Sequence, residues 1–204
     1  MAAVKGGCVE WALAARPFAA GGESGDACLV RELPRGALVA VADGLGHGPD
    51  AAAVARQALQ ALGDVADGNP ISAMKRCHER LRATRGAVLT LALFDTASDT
   101  VTWAGAGNVC GLLVRGERGA GPATESLLLR GGVLGRWIPP LRAAIHAVAP
   151  GDTLALWTDG VRGSFPCARL AADPLQASAD RILAAHANGD DALVLLVRYA
   201  GEAR

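Results

Sequence analysis

The stretch "VAVADGLGHGPDAA", Val39 to Ala52, decides how this chain folds. An apolar run stops at Asp43, and three glycines and a histidine follow within five residues. The spacing then turns helical. Ala51, Val54, Ala55, Ala58, Leu59 and Leu62 recur every three or four residues, so 49–62 reads as an amphipathic helix. Pro49 suits its first turn, where a missing N–H is harmless. A buried strand therefore ends on a carboxylate and passes into a helix through backbone nearly bare of side chains.

Working outward, "CVEWALAA" (8–15) reads as a strand, a Gly-rich loop runs to Asp26, and "ACLVREL" (27–33) and "ALVAVA" (37–42) form a hairpin around "PRG". "NPISAMKRCHERLRAT" (69–84) is a second helix whose basic face reads as solvated. From residue 87 the chain reads as strands. The runs 87–94, 100–106 and 109–115 suggest an antiparallel meander, which 124–130, 143–148 and 153–158 extend. A third helix is expected over 174–187 and a closing buried strand over 192–199; the loop tip 115–123 carries no functional signal. With no repeat and no linker composition, 1–204 is read as one α+β domain: two packed antiparallel β-sheets flanked by α-helices, a four-layer αββα sandwich.

The totals exclude several functions. The 204 residues suffice for a substantial core, built from Ala, Val and Leu because the chain holds only 4 Trp, 3 Phe and 1 Tyr. The formal net charge of +0 argues against a nucleic-acid binder and a polybasic membrane dock. The 5 cysteines are odd in number, widely spaced and free of C-x-x-C, so they read as reduced thiols in a cytoplasmic protein. No signal peptide is evident and no apolar run is long enough to span a bilayer.

The opening motif is repeated in kind. Asp43 and Asp159 ("TLALWTDG") end apolar strands, while Asp26 ("SGDACLV") and the pair Asp190–Asp191 ("NGDDALVLLV") precede them. Gly25, Gly44, Gly160 and Gly189 adjoin these sites. An Asp-Gly pair is also an ordinary turn dipeptide. Four such sites at strand ends would form a carboxylate cluster if those ends share one edge of a sandwich. Clustered buried anions need a cation, and no Lys or Arg stands beside each of them. Hard divalent ions, which take carboxylate and carbonyl oxygen, answer that need.

"ADGLGHGPDA", with "SGDACLV" upstream and "LWTDG" and "NGDDALVLLV" downstream, resembles the SpoIIE-like branch of the metal-dependent protein phosphatase 2C superfamily. "TWAGAGNVCGLLVR" and "RGGVLG" are similar to that branch's central strands. The resemblance implies a phosphoprotein phosphatase with two divalent ions, Mn²⁺ or Mg²⁺. It implies that Asp43 bridges both ions and the Gly44 carbonyl reaches one. Asp26 would serve the first ion, partly through water, Asp159 and Asp190 would hold the second, and Asp191 would orient the site. It implies as substrate a phosphorylated protein, of the STAS-domain anti-anti-sigma or stressosome kind, in a partner-switching pathway.

Two departures from the superfamily bear on catalysis; a third, Ala192 where a threonine often follows the paired aspartates, should cost little. Leu45 stands where many members carry a histidine, and His47 is read as a helix-start or loop-packing residue rather than the general acid. No arginine stands at the matching distance before Asp26 for phosphate binding; Arg16 is the nearest candidate. His78, His146 and His186 read as surface or satisfied-core residues, and Cys167 lacks the C-x₅-R spacing of a cysteine phosphatase. Two other functions stay open at this stage, a phosphatase-fold binding module without turnover and a hydrolase of small phosphoesters.

Overall fold

The structure, a computed structural model, describes residues 3–63, 68–116, 123–163, 165, 167 and 170–202. Its elements in chain order are β1 (Val4–Gly6), β2 (Val9–Arg16), β3 (Asp26–Leu33), β4 (Gly36–Gly44), α1 (Gly48–Ala61), α2 (Pro70–Arg80), β5 (Ala87–Asp95), β6 (Thr100–Ala106), β7 (Cys110–Val114), β8 (Thr124–Ser126), β9 (Ala143–Ala147), β10 (Thr153–Trp157), α3 (Leu175–His186) and β11 (Ala192–Tyr199). One sheet has the order β1-β2-β11-β10-β7-β8 and the other β3-β4-β5-β6-β9, with every pairing antiparallel.

The central strands are buried on both faces, which is why they read as continuous apolar runs. Along β4, Ala37, Val39 and Val41 face the other sheet, while Leu38, Ala40 and Ala42 pack under α1 and α2. Along β11, Leu193, Leu195 and Val197 point between the sheets, and Ala192, Val194 and Leu196 pack under α3. Successive side chains on a strand point to opposite faces, so these two strands each build two of the three apolar layers. The result is α1 and α2 on one sheet, α3 on the other, and a sheet-on-sheet core between them.

Helix boundaries follow local chemistry. Asn69 caps α2, its Oδ1 accepting the N–H groups of Ile71 (3.0 Å) and Ser72 (3.2 Å). α2 ends at Arg80, short of the expected 84, because Leu81 tucks into the core and Thr84 Oγ1 donates to the Leu81 carbonyl, closing a turn. The expected hairpin is present as β3 and β4.

The expected meander is not. β5 and β6 pair, but β7 crosses to the other sheet and pairs with β10, so β6 finds β9 instead. The run expected as a strand over 124–130 is ordered only as Thr124–Ser126, and "RGGVLG" forms an irregular wall rather than a central strand. The loop tip 115–123 lies largely outside the described residues. The short edge strand β1 carries no signal that sequence pattern alone would register.

Candidate active site

Antiparallel pairing gathers the acidic strand ends. β3 begins at Asp26 and β4 ends at Asp43–Gly44, and the register sets Asp26 directly opposite Asp43. In the other sheet β10 runs out at Trp157 into Thr158 and Asp159, beside the start of β11 at Ala192, just after Asp190 and Asp191. Both pairs open onto the same edge of the sandwich. Asp26, Asp43, Asp159, Asp190 and Asp191 line one cavity of about 530 Å³, with Leu45, His47, Asn108 and the Gly131–Val133 wall around them.

The two glycines of the Asp-Gly pairs are there for close approach. A Cβ on Gly44 would stand 2.1 Å from the Ala51 carbonyl oxygen, so only glycine lets the first turn of α1 lie against the end of β4. A Cβ on Gly160 would stand 1.8 Å from the Asp191 carbonyl oxygen, so only glycine lets the Asp159 turn nest against the Asp190–Asp191 turn. These contacts answer why bare backbone surrounds each carboxylate.

Hydrogen bonds then fix the carboxylates across the sheets. Asp191, 5% exposed, accepts the N–H of Gly25 (2.8 Å) and of Phe18 (2.7 Å) on its two oxygens. The Thr158 hydroxyl donates to Asp26 Oδ2 (2.7 Å) and accepts the Leu193 N–H (3.0 Å). Asn108 Nδ2 donates to Asp159 Oδ2 (2.7 Å), and Asn188 Nδ2 donates to the Asp159 carbonyl (2.8 Å). Asp190 Oδ1 accepts the Asp191 N–H (2.8 Å). Sequence reading passes over Thr158, Asn108 and Asn188. The "GN" at 107–108 reads as a turn signal, and nothing local marks its side chain as an Asp159 partner.

Among the described residues no Lys or Arg lines the cavity. The charge left uncompensated shows in the acids themselves. Burial pushes the Asp26 carboxyl up to about 7, opposed by the Thr158 hydroxyl and reinforced by Asp191, Asp159 and Asp190. Burial, with the charges of Asp26, Asp159, Asp190 and Asp191 behind it, pushes Asp43 up to about 8. Protons or external cations must balance such a site. Among the described residues no three carboxylate, imidazole or thiol groups converge closely enough to grip a single ion. The aspartates ring a space instead of closing on a point. That arrangement fits ions that keep several of their waters, as Mg²⁺ does, better than an all-protein cage.

The remaining candidates fall elsewhere. His47 is the N-terminal flanking residue of α1, packs its ring on Phe18 (centroids 5.3 Å apart) and borders the cavity. Arg16 is not among the lining residues; its Nη2 donates to the Asn188 carbonyl (2.5 Å), so it braces the Asp159 turn rather than facing a phosphate. His78 Nδ1 accepts the Gly135 N–H (3.1 Å), His146 pairs with Glu125, and His186 packs on Phe165. All five cysteines are free thiols.

The family model for Stage II sporulation protein E (SpoIIE) matches residues 34–200, from the β3–β4 turn to the end of β11. The chain belongs to the SpoIIE family. Its fold is shared with protein phosphatase 2C domains and a serine/threonine phosphatase among solved structures. Among solved structures, a chain from the bacterial stressosome, described as a modular system adapted to control secondary messenger signaling, is 28% identical over 93% of this chain and 98% of that one, with a TM-score of 0.82. RsbX in complex with magnesium is 18% identical over 97% of this chain and 98% of its own, with a TM-score of 0.82. The catalytic domain of the phosphatase PstP with two manganese ions is 17% identical over 94% and 98%, with a TM-score of 0.68. The last two share the fold. No curated protein matches the chain. Among the described residues no helix is long and apolar enough to cross a membrane.

The SpoIIE match includes Asp43, Gly44, Asp159, Asp190 and Asp191, while Asp26 lies before its first residue. The register carries Asp26 into the same site through its partner Asp43.

Proposed function

We propose that the chain hydrolyses phosphoserine or phosphothreonine on a signalling protein, using two divalent ions, Mn²⁺ or Mg²⁺, held in the aspartate-lined cavity. One observation carries the proposal: five aspartates line a space that no basic side chain among the described residues enters, and two of them are held far above the usual carboxylate range. Asp43 would bridge the ions, with the Gly44 carbonyl contributing to one of them. Asp26 would serve the first ion, and Asp159 and Asp190 the second. Asp191 has both oxygens committed to backbone N–H groups, which suits an orienting role. Such a pair of ions, when bound, supplies an activated water and neutralises the phosphoryl oxygens during in-line displacement.

The protein's own part is positional. The Thr158, Asn108 and Asn188 bonds hold the aspartates at set directions, so little rearrangement is needed as charge develops. Hydrolysis of this kind needs no side-chain nucleophile, and among the described residues no cysteine or serine lines the cavity.

The substrate proposed is a phosphorylated STAS-domain protein, an anti-anti-sigma factor or stressosome scaffold, in a bacterial cytoplasmic partner-switching pathway. The likeness to a chain of the bacterial stressosome supports it. The test is phosphate release with Mn²⁺ from such a phosphoprotein, beside p-nitrophenyl phosphate as a small-ester control. Asp43→Asn should abolish release and leave the fold intact. Near-normal turnover by that variant would overturn the metal assignment, and turnover of the small ester alone would overturn the protein substrate.

A further inference from the structure

We propose that the rim of the acidic cavity is a docking surface for the phosphorylated protein, taking an apolar side chain beside the phosphoresidue and acidic residues beyond it. The inference rests on the phosphatase reading above and names the part of the substrate that the rim receives.

The apolar part of the rim lies on both sides of the mouth. Phe18 is 57% exposed, Leu45 39% and Trp137 65%. Phe18 is pinned there by its N–H bond to Asp191, and its ring lies on His47. Leu45 lines the cavity itself. Trp137 is bonded in both directions to Val133 of the cavity wall: the Val133 N–H donates to the Trp137 carbonyl (2.7 Å), and the Trp137 N–H donates to the Val133 carbonyl (3.0 Å). Large apolar side chains left in water around a polar centre mark a contact surface, and tryptophan is the side chain most often decisive in one. A small phosphoester held inside the cavity would not reach Trp137.

The charge pattern selects the partner. The segment 127–142, which supplies the cavity wall, holds Arg130, Arg136 and Arg142 and no acidic residue. Among the described residues none of the three pairs with a carboxylate. The Arg130 carbonyl accepts the N–H of Gly107 (2.8 Å), a cavity residue, so this arginine starts from the mouth. Arg136 reaches across to the Arg85 carbonyl (3.3 Å). A neutral chain has thus put acids inside the cavity and, on the segment that walls it, arginines with no carboxylate partner among the described residues. An extended segment with phosphoserine at the cavity, an apolar neighbour on Trp137 and acids further along complements both.

The test uses the full chain with Mn²⁺ and three probes: p-nitrophenyl phosphate, a phosphoserine peptide with Leu next to the phosphoserine and Glu beyond, and the same peptide with Gly and Lys at those positions. The Leu/Glu peptide should exceed the Gly/Lys peptide by about tenfold in kcat/KM, the size of one well-placed contact. Trp137→Ala should raise KM for the Leu/Glu peptide about tenfold and leave the small ester within about twofold; Arg130→Glu with Arg142→Glu should erase the peptide preference. Equal kcat/KM on both peptides, or a Trp137→Ala loss of the same size on the small ester, would overturn the docking surface while the phosphatase reading stands. Turnover of the ester without either peptide would overturn the protein-substrate reading instead. Binding of wild type, but not of Trp137→Ala, to anionic lipid vesicles would assign the rim to a membrane and also sink the proposal.

Discussion

Asp26 and Asp43 stand directly opposite one another on β3 and β4, a buried and a half-buried acid paired across a sheet with no base among the described residues between them. The acids share a strand pair whose other positions are apolar from Ala27–Ala42 outward to Val30–Val39. A sheet that places two carboxylates face to face carries an energetic penalty whenever both are ionised.

That penalty sets a pH dependence. Both groups are raised from 3.8, Asp26 to about 7 and Asp43 to about 8, so the folded state holds these protons more tightly than the unfolded chain. Their stabilising contribution is complete below the ordinary carboxylate range and is lost as pH rises through about 7 and 8. In excess chelator the melting temperature should fall as pH is raised across that window. Asp43→Asn should flatten the fall, and Mn²⁺ should restore the wild type at high pH. Thermal melts of both proteins decide it; parallel slopes would exclude Asp43 as the source.

The glycine pair makes a steric prediction. Gly44→Ala drives a Cβ into the Ala51 carbonyl and Gly160→Ala drives one into the Asp191 carbonyl, both backbone atoms that cannot swing aside. Each should cost ~2 kcal/mol or more by urea denaturation. Gly189→Ala, with nothing within 4 Å of its Cβ, is the matched control and should be close to neutral.

Asn108 and Thr158 should separate metal affinity from stability. Asn108→Ala removes the donor to Asp159 at an exposed position, so Mn²⁺ affinity measured by calorimetry should fall about tenfold with little change in melting temperature. Thr158→Val strips Asp26 of its hydroxyl donor and leaves the buried Leu193 N–H without its hydroxyl acceptor. That variant should lose ~1–3 kcal/mol of stability as well. Unchanged Mn²⁺ binding by Asn108→Ala would remove the asparagine from the site's support.

Far from the cavity, Arg115 is the tie between sheet edges. Its guanidinium meets Asp152 (2.9 Å), Glu125 and the Ala147 carbonyl (2.5 Å), and the side chains of Arg115 and Asp152 are 9% and 1% exposed. Arg115→Ala leaves a buried carboxylate with only backbone donors and should cost ~3–5 kcal/mol in a denaturant titration, with phosphatase activity at low temperature retained.

Particular elements show what pattern alone conveys. β11 is read at its observed limits of 192–199 because eight consecutive residues from Ala192 to Tyr199 contain a single charge, at Arg198. The helix after Asp43 is legible because its apolar spacing changes to three and four. The meander reading sets β7 beside β6, and the local pattern cannot correct that. An apolar run states that it is buried, not which sheet buries it, and only the competing partner β10 draws it across.

The site divides along the same line. The aspartates are visible as residue types at strand ends, since a carboxylate closing an apolar run is a local fact. Their convergence is not local. It depends on Asp26 meeting Asp43 in register, and on Asp191 reaching the Gly25 N–H across 166 positions of chain. The supporting Asn108–Asp159 and Thr158–Asp26 bonds likewise join residues 51 and 132 positions apart. The sequence by itself determined the layers, the helices and the acidic strand ends, because hydrophobic periodicity and backbone chemistry act over a few residues. Only the tertiary structure decided which strands share a sheet and which donors hold each acid, because those contacts exist only once distant segments have packed.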